Sequence, residues 1–147
     1  SFFLREDSKK PIIFLASGTG FAPIKAMLTS IQNKKIDREI HFYWGGRRPK
    51  DLYMDSLCQE FTHTIPGFHY IPVISEALPE DAWQGRTGFV HRAVMHDFSD
   101  LSSYQVYACG APIVIAAART DFVKECRLPE EEFFADSFTS EADLVSA

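Results

Sequence analysis

The sequence predicts an α/β domain built on a doubly wound parallel sheet with flanking helices. Short β-prone runs alternate with helical segments along the chain, an order that requires right-handed crossovers between parallel strands. Three turns rich in glycine or proline follow predicted strands, at residues 18–23, 45–48 and 110–112. Ligands of such sheets bind beyond the carboxyl ends of the strands. The three turns are therefore expected to meet at one edge and to form a site.

The order of apolar runs and turn residues defines each element. The predicted strands are, in order, residues 11–16, 38–44, 68–74, 104–109 and 133–135. The first predicted helix begins around Pro23, and three more cover residues 51–61, 88–98 and 113–126. Residues 75–86 are predicted to be a polar connection. Pro72 lacks a backbone N–H for the sheet ladder, which places the third strand at or near a sheet edge. Residues 45 and 46 are expected to be a turn.

Composition limits the function classes that the chain can belong to. Its 147 residues, 46% of them hydrophobic and 24% charged, suit one globular domain with its own core. A net charge of −5 with intermixed signs argues against nucleic-acid binding. No apolar run reaches the roughly 20 residues of a membrane helix, and the first residues given lack a basic-then-apolar signal pattern. We therefore expect a cytoplasmic protein with neither nucleic-acid nor membrane partners.

The cysteine and histidine residues predict no metal site. Cys58, Cys109 and Cys126 are too widely spaced for a disulfide framework or an iron–sulfur motif. The five histidines contain no recognised ligand spacing.

The turn from Ser17 to Pro23 has the chemistry of an anion site. Gly18 and Gly20 are expected to allow positive φ and to leave no Cβ between the main chain and a ligand. Pro23 fits the first turn of a helix, whose positive dipole end faces the loop. These features predict a pyrophosphate site. Because Pro23 replaces the third glycine of the dinucleotide fingerprint, a turn that binds no ligand is the alternative.

Motifs at four places carry a resemblance to a known family. They are Gly18–Pro23, Tyr43–Arg47 followed by Asp51–Tyr53, Gly85–Gly88 and Cys109–Pro112, with Phe133–Phe138 near the end. In this order they resemble the pyridine-nucleotide domain of ferredoxin-NADP reductase-like flavoproteins. Within that family the chain is most similar to bacterial CDP-6-deoxy-glucoseen reductases and oxygenase reductase components. Flavin reductases with the Tyr-Trp-Gly-Gly-Arg motif are less similar.

The resemblance implies a domain organisation. Residues 11–138 are expected to form a Rossmann-like NAD(P)-binding domain with about five strands. Residues 1–10 would be a linker from a missing flavin domain, and residues 139–147 a polar tail.

The resemblance also implies a function. The domain would bind NAD(P)H and position the nicotinamide for hydride transfer to FAD in the flavin domain of the same polypeptide, from which electrons pass to an unknown acceptor. The whole protein would be an oxidoreductase, and the given chain would be a fragment that is inactive without the flavin domain. NADH is the expected cofactor, and NADPH is the alternative. An iron–sulfur cluster could lie in a further domain. The alternatives are an enzyme that reduces free flavin and a non-catalytic nucleotide-binding electron-transfer subunit.

The residues with implied catalytic roles are Cys109 and Thr19. Cys109 is expected beside the reacting nicotinamide carbon, where it orients the ring; its alternative is a small buried hydrophobe. The implied cofactor-binding set is Gly18, Thr19, Gly20, Phe21, Pro23, Gly46, Arg47, Arg48, Tyr53, Cys109, Gly110, Ala111, Pro112 and Phe138.

Four members of this set have implied positions that the residues alone leave open. Arg47, with Arg48 as its companion, would lie near the adenosine ribose, although surface arginines are commonly just solvated. Tyr53 would stack on adenine or pack in the core. Phe138 would lie near the flavin ring or form the edge of the core.

Overall fold

The computed structural model describes residues 2–138, and the predicted polar tail lies outside them. The strands are Ile12–Ser17 (β1), Ile40–Gly46 (β2), Phe68–Ile74 (β3), Arg86–Thr87 (β4), Gln105–Gly110 (β5) and Phe133–Ser137 (β6). The helices are Phe21–Lys34 (α1), Asp55–Thr64 (α2), Val90–Asp97 (α3) and Pro112–Cys126 (α4). None of the helices in this part of the chain has the length and apolar character needed to cross a membrane.

All neighbouring strands are parallel, in the order β4-β3-β2-β1-β5-β6. The chain moves outward from β1 to β4 and then returns to place β5 on the other side of β1. Helices α1 and α2 pack on one face of the sheet, and α3 and α4 on the other. The prediction of a doubly wound parallel sheet is therefore confirmed, with six strands rather than about five.

Strand β1 lies in the middle of both hydrophobic cores. Ile12 and Phe14 point to the α1 face, whereas Ile13 and Leu15 point to the α3 face, and all four are fully buried. This continuous apolar run is typical of a strand that is covered on both sides.

The additional strand, β4, lies at the end of the segment that was predicted to be only a polar connection. Arg86 pairs with Val73 of β3, and the Trp83 indole N–H donates to the Arg86 carbonyl at 2.8 Å. The Arg86 guanidinium also binds the Asp97 carboxylate at 3.0 Å, which ties β4 to α3. The prediction from Pro72 is confirmed, because β3 is one strand from the edge.

Two predicted boundaries near the end of β2 are wrong. Gly45 and Gly46 belong to the strand and pair with β3, so the turn begins after them. The helix predicted from residue 51 begins at Asp55, because Pro49–Asp51 form a separate 3₁₀ turn. The Asp51 carboxylate accepts the backbone N–H groups of residues 47 and 48, each at 3.0 Å, and thereby fixes that turn.

A buried arginine joins the amino end of the sheet to the segment that precedes β1. Arg38 is 5% exposed and donates to the carbonyls of Lys10 at 2.7 Å and Arg5 at 3.0 Å. It also donates to the Gln105 side-chain oxygen at 2.8 Å. Gln105 in turn donates to Glu132 at 2.8 Å. Burial lowers the pKa of Arg38, but these acceptors compensate for the lost hydration.

We expect the substitution Arg38→Met to lower the free energy of unfolding by about 2–4 kcal/mol, because it leaves several buried acceptors without a donor. Urea denaturation would measure the change. Lys34→Met is the matched control, since Lys34 forms only an exposed ion pair with Glu6 and its loss is expected to change stability by less than about 1 kcal/mol. Equal effects of the two substitutions would contradict the role of the buried network.

Candidate functional site

The three turns that were predicted to share an edge do meet at the carboxyl ends of the central strands. In the sheet register, Ser17 lies opposite Gly45, and Ala16 lies opposite Cys109. The turns after β1, β2 and β5 are therefore direct neighbours. This edge contains the point at which the strand order reverses, where open α/β sheets bind ligands.

Gly20 is required because two backbones approach each other closely. A Cβ at this residue would lie 2.6 Å from the carbonyl carbon of Cys109 and closer still to its oxygen. Its φ is −72°, so the expectation of positive φ is wrong at Gly20, although it is confirmed at Gly18, where φ is +53°. The start of α1 thus rests directly on the end of β5.

Gly110 makes the reciprocal contact from β5 to β1. Its φ of +143° disfavours any other residue, and a Cβ there would lie 2.7 Å from the Ser17 carbonyl oxygen. The Ser17 hydroxyl oxygen accepts the Ala111 N–H at 3.0 Å. Sequence reasoning missed Ser17, although a hydroxyl residue directly before the glycine turn was a usable signal. Ser17 holds the start of α4 in place.

The first turns of α1 and α4 both suit an anion. Neither turn contains an acidic residue, and no side chain caps either helix. The first N–H groups of a helix have no partner within the helix, so an anionic group can accept hydrogen bonds from them. Pro23 is the third residue of α1 and so lies in its first turn, as predicted, and Pro112 begins α4 one residue before the predicted start. Thr19, two residues before α1, is exposed.

A group of aromatic side chains supports the glycine turn from below. The buried Trp44 indole N–H donates to the Gly18 carbonyl at 2.9 Å, and the Phe21 ring stacks on Trp44 with centroids 4.5 Å apart. Tyr53 meets Trp44 edge-on at 5.3 Å and is 54% exposed, so it both packs on the core and presents a face to solvent. Trp44 was missing from the predicted site.

Cys109 is fully buried at the end of β5. Burial, with a smaller contribution from Asp136, raises the pKa of the thiol to about 12, so the thiol is protonated at neutral pH. Phe138 continues from β6, donates its backbone N–H to the Gly110 carbonyl at 3.0 Å and packs against the same core as Cys109. A protonated thiol can contact a ligand but is a poor nucleophile.

Both arginines after β2 interact with acidic residues. The Arg48 guanidinium makes two hydrogen bonds of 2.7 Å to Asp81. Arg47 is exposed, and its Nε lies 3.9 Å from Glu76. Gly46 packs closely against Asp51: a Cβ at residue 46 would lie 3.0 Å from the Cβ of Asp51. The predicted binding roles of these residues stay predictions.

We expect the three cysteines of the native chain to resist thiol reagents. All three are buried, and burial raises the thiol pKa in each case, to about 12 for Cys58 and Cys109. Ellman's reagent at pH 8 should therefore react slowly before unfolding and with all three thiols in urea. A fast reaction of one thiol in the folded chain would show an exposed or activated cysteine.

Comparisons with known proteins agree with this geometry. The family model described as the oxidoreductase NAD-binding domain matches residues 14–120. The chain is 46% identical to the CDP-6-deoxy-L-threo-D-glycero-4-hexulose-3-dehydrase reductase of Yersinia pestis, over 94% of this chain and 40% of that protein. It is 36% identical to a probable flavin reductase of Aliivibrio fischeri, over 92% and 57% of the two chains.

A solved structure shares the fold as well. The cytochrome P450 reductase GcoB of Amycolatopsis superposes with a TM-score of 0.82 at 26% identity, over 94% of this chain and 41% of that one. The chain therefore spans about two fifths of the length of the Yersinia reductase and of GcoB. The chain belongs to the oxidoreductase NAD-binding domain family, and its fold is the one found in ferredoxin-NADP⁺ reductase.

Proposed function

We propose that the chain binds the NADH dinucleotide along the carboxyl edge of its sheet and presents the nicotinamide to a flavin. The pyrophosphate would lie on the turn from Gly18 to Phe21, with the nicotinamide toward Cys109–Pro112 and the adenosine toward Arg47. One observation carries the proposal: Gly20 and Gly110 bring the main chains of β1 and β5 together beneath two uncapped helix starts.

The residues present fit a dinucleotide with a flexible pyrophosphate. The edge offers main-chain N–H groups to the phosphates, and the exposed Thr19 hydroxyl lies beside them. The half-exposed Tyr53 ring offers a flat apolar surface to an aromatic base.

Bound NADH would supply a hydride, and the chain's own contribution is positioning. The fully buried Cys109 thiol keeps its proton and would lie in the wall beneath the nicotinamide ring without attacking it. Phe138, bound to the Gly110 carbonyl, supports the same wall. Hydride transfer requires no general acid or base from these residues. The proposal needs FAD in another domain of the same polypeptide, which accords with the coverage of the Yersinia relative.

The charged residues that follow β2 and β3 favour NADH over NADPH. Glu76 lies beside Arg47, and its backbone N–H donates to the Arg47 carbonyl at 2.9 Å. The Arg48 charge is neutralised by Asp81. A 2′-phosphate near the adenosine ribose would therefore find both guanidinium groups already beside carboxylates that follow β3, whereas a free 2′-hydroxyl needs no cation.

Reduction of free flavin is the second candidate, because the chain is 36% identical to a probable flavin reductase. In that case the flavin would be a substrate rather than a bound group. Three further points stay proposals that follow from composition and resemblance. They are the transfer of electrons to a further acceptor, an iron–sulfur group elsewhere in the protein, and the cytoplasmic location.

Calorimetric titration with NADH tests the site. We expect the wild-type chain to bind NADH and Gly20→Ala to bind it about tenfold more weakly or worse, equivalent to about 1.4 kcal/mol, because a Cβ pushes α1 away from β5. Gly67→Ala is the matched control, since Gly67 directly precedes β3 and so lies at the opposite edge of the sheet. Its NADH affinity should equal that of the wild type.

The wild-type chain provides a second readout that needs no substitution. Titration with NADH should move the backbone amide signals of Thr19, Gly20 and Gly110 in NMR spectra, and leave that of Gly67 unchanged. Shifts confined to other residues would disprove the site. A parallel titration of the chain with FMN or FAD tests the free-flavin alternative, which flavin binding to the chain alone would favour.

Cofactor preference is tested by Glu76→Gln. Removing this carboxylate should raise the affinity for NADPH by about three- to tenfold at low salt and leave that for NADH nearly unchanged, because only NADPH carries the repelled phosphate. Glu125→Gln on the exposed face of α4 is the matched control. Tighter NADPH than NADH binding by the wild type would refute the proposed preference.

A further inference from the structure

A second group of polar side chains lies at the amino edge of the sheet, opposite the nucleotide site. Glu39 directly precedes β2, and the parallel register places His41 of β2 beside His69 of β3. The two imidazole rings are stacked, with centroids 4.5 Å apart and an interplanar angle of 14°. Within residues 2–138, Glu39, His41 and His69 form a group of three potential metal ligands, whose ligand atoms all lie within 4.8 Å of one another.

The same nitrogen of both rings lies close to one carboxylate oxygen. Nε2 of His41 lies 3.4 Å from Oε1 of Glu39, and Nε2 of His69 lies 3.1 Å from that same oxygen. A single carboxylate oxygen therefore occupies the place on which two imidazole nitrogens converge. A cation that replaced it there would have two nitrogen ligands and, after a small outward movement of Glu39, one oxygen ligand.

The three side chains differ in how firmly they are held. The side chain of His41 is 19% exposed, and its ring meets Phe98 edge-on at 5.0 Å, so its position is fixed. The side chains of Glu39 and His69 are 54% and 52% exposed and can adjust. One fixed and two adjustable ligands allow the nitrogen atoms to approach an ion to about 2.0–2.1 Å.

We propose that Glu39, His41 and His69 bind a divalent transition-metal ion of the zinc type. Two imidazoles and one carboxylate suit zinc, nickel or copper rather than calcium or magnesium, which prefer oxygen ligands alone. Water would complete the coordination. This inference departs from the sequence-based expectation of no metal, because the ligands come from two strands that are adjacent only in the fold.

The proposed site is separate from the nucleotide site. His41 and Gly46 lie five residues apart on β2, which corresponds to about 16 Å at roughly 3.3 Å per residue. A metal ion there would join the starts of β2 and β3 and stabilise the folded chain, since it would bind that state alone. Nucleotide binding should be unaffected.

Calorimetric titration of the chelator-treated chain with Zn²⁺ tests the proposal. We expect saturation at one ion per chain, with the affinity lowered about tenfold or more by Glu39→Gln and by His69→Ala, as for loss of a metal ligand. His63→Ala is the matched control, since His63 is exposed on α2, which packs on the face of the sheet opposite to that of Phe98 and His41. Its zinc affinity should equal that of the wild type.

A measurement on the wild-type chain keeps the test independent of variant folding. Paramagnetic Co²⁺ should broaden the side-chain NMR signals of His41 and His69 before those of His63, His91 and His96. Absence of saturable zinc binding, equal losses with His63→Ala, or earlier broadening of the other histidines would overturn the proposal.

Discussion

The close backbone contact between the start of α1 and the end of β5 determines the geometry of the carboxyl edge of the sheet. Gly20 and Gly110 hold the start of α1 and the end of β5 at distances that leave no space for a Cβ. Because β1 and β5 are neighbours whose following helices pass to opposite faces of the sheet, the crevice between them opens at this point. The close approach of the two segments depends on the lack of a side chain at both glycines.

The aromatic residues beneath the turn make it rigid. The Trp44 indole N–H is satisfied by the Gly18 carbonyl, so burial of the ring leaves no polar atom unpaired. Phe21 stacks on the same ring, and such pairs contribute about 0.5–1.5 kcal/mol beyond their buried area. The glycine turn is thus flexible by composition but fixed by its neighbours. A ligand would not need to order it.

Local signals predicted the sheet and the three turns, because apolar alternation and glycine or proline positions act over a few residues. The additional strand β4 was missed, since its two residues are held by Trp83 and by the pairing of Arg86 with Asp97. The reason for Gly20 was also missed, because it lies in a contact with Cys109, far along the chain.

Longer-range pairings were equally hidden. Arg48, which was predicted to be a companion of Arg47 at a ligand, binds Asp81, 33 residues away, and no local pattern signals that pairing. His41 and His69 have no meaningful spacing in the sequence, and the register of β2 against β3 brings them together. Sequence patterns report what a residue can do, whereas the strand register determines which residues do it together.

The absence of acidic residues from the first turns of α1 and α4 has a consequence for pH. The chain contains 20 acidic residues and has a net charge of −5, yet none of these carboxylates lies in either turn. Peptide N–H groups do not titrate in the physiological range, unlike histidine. A dinucleotide pyrophosphate, which has no ionisation near neutral pH, would therefore be held by them with the same strength in mildly acidic and mildly alkaline surroundings.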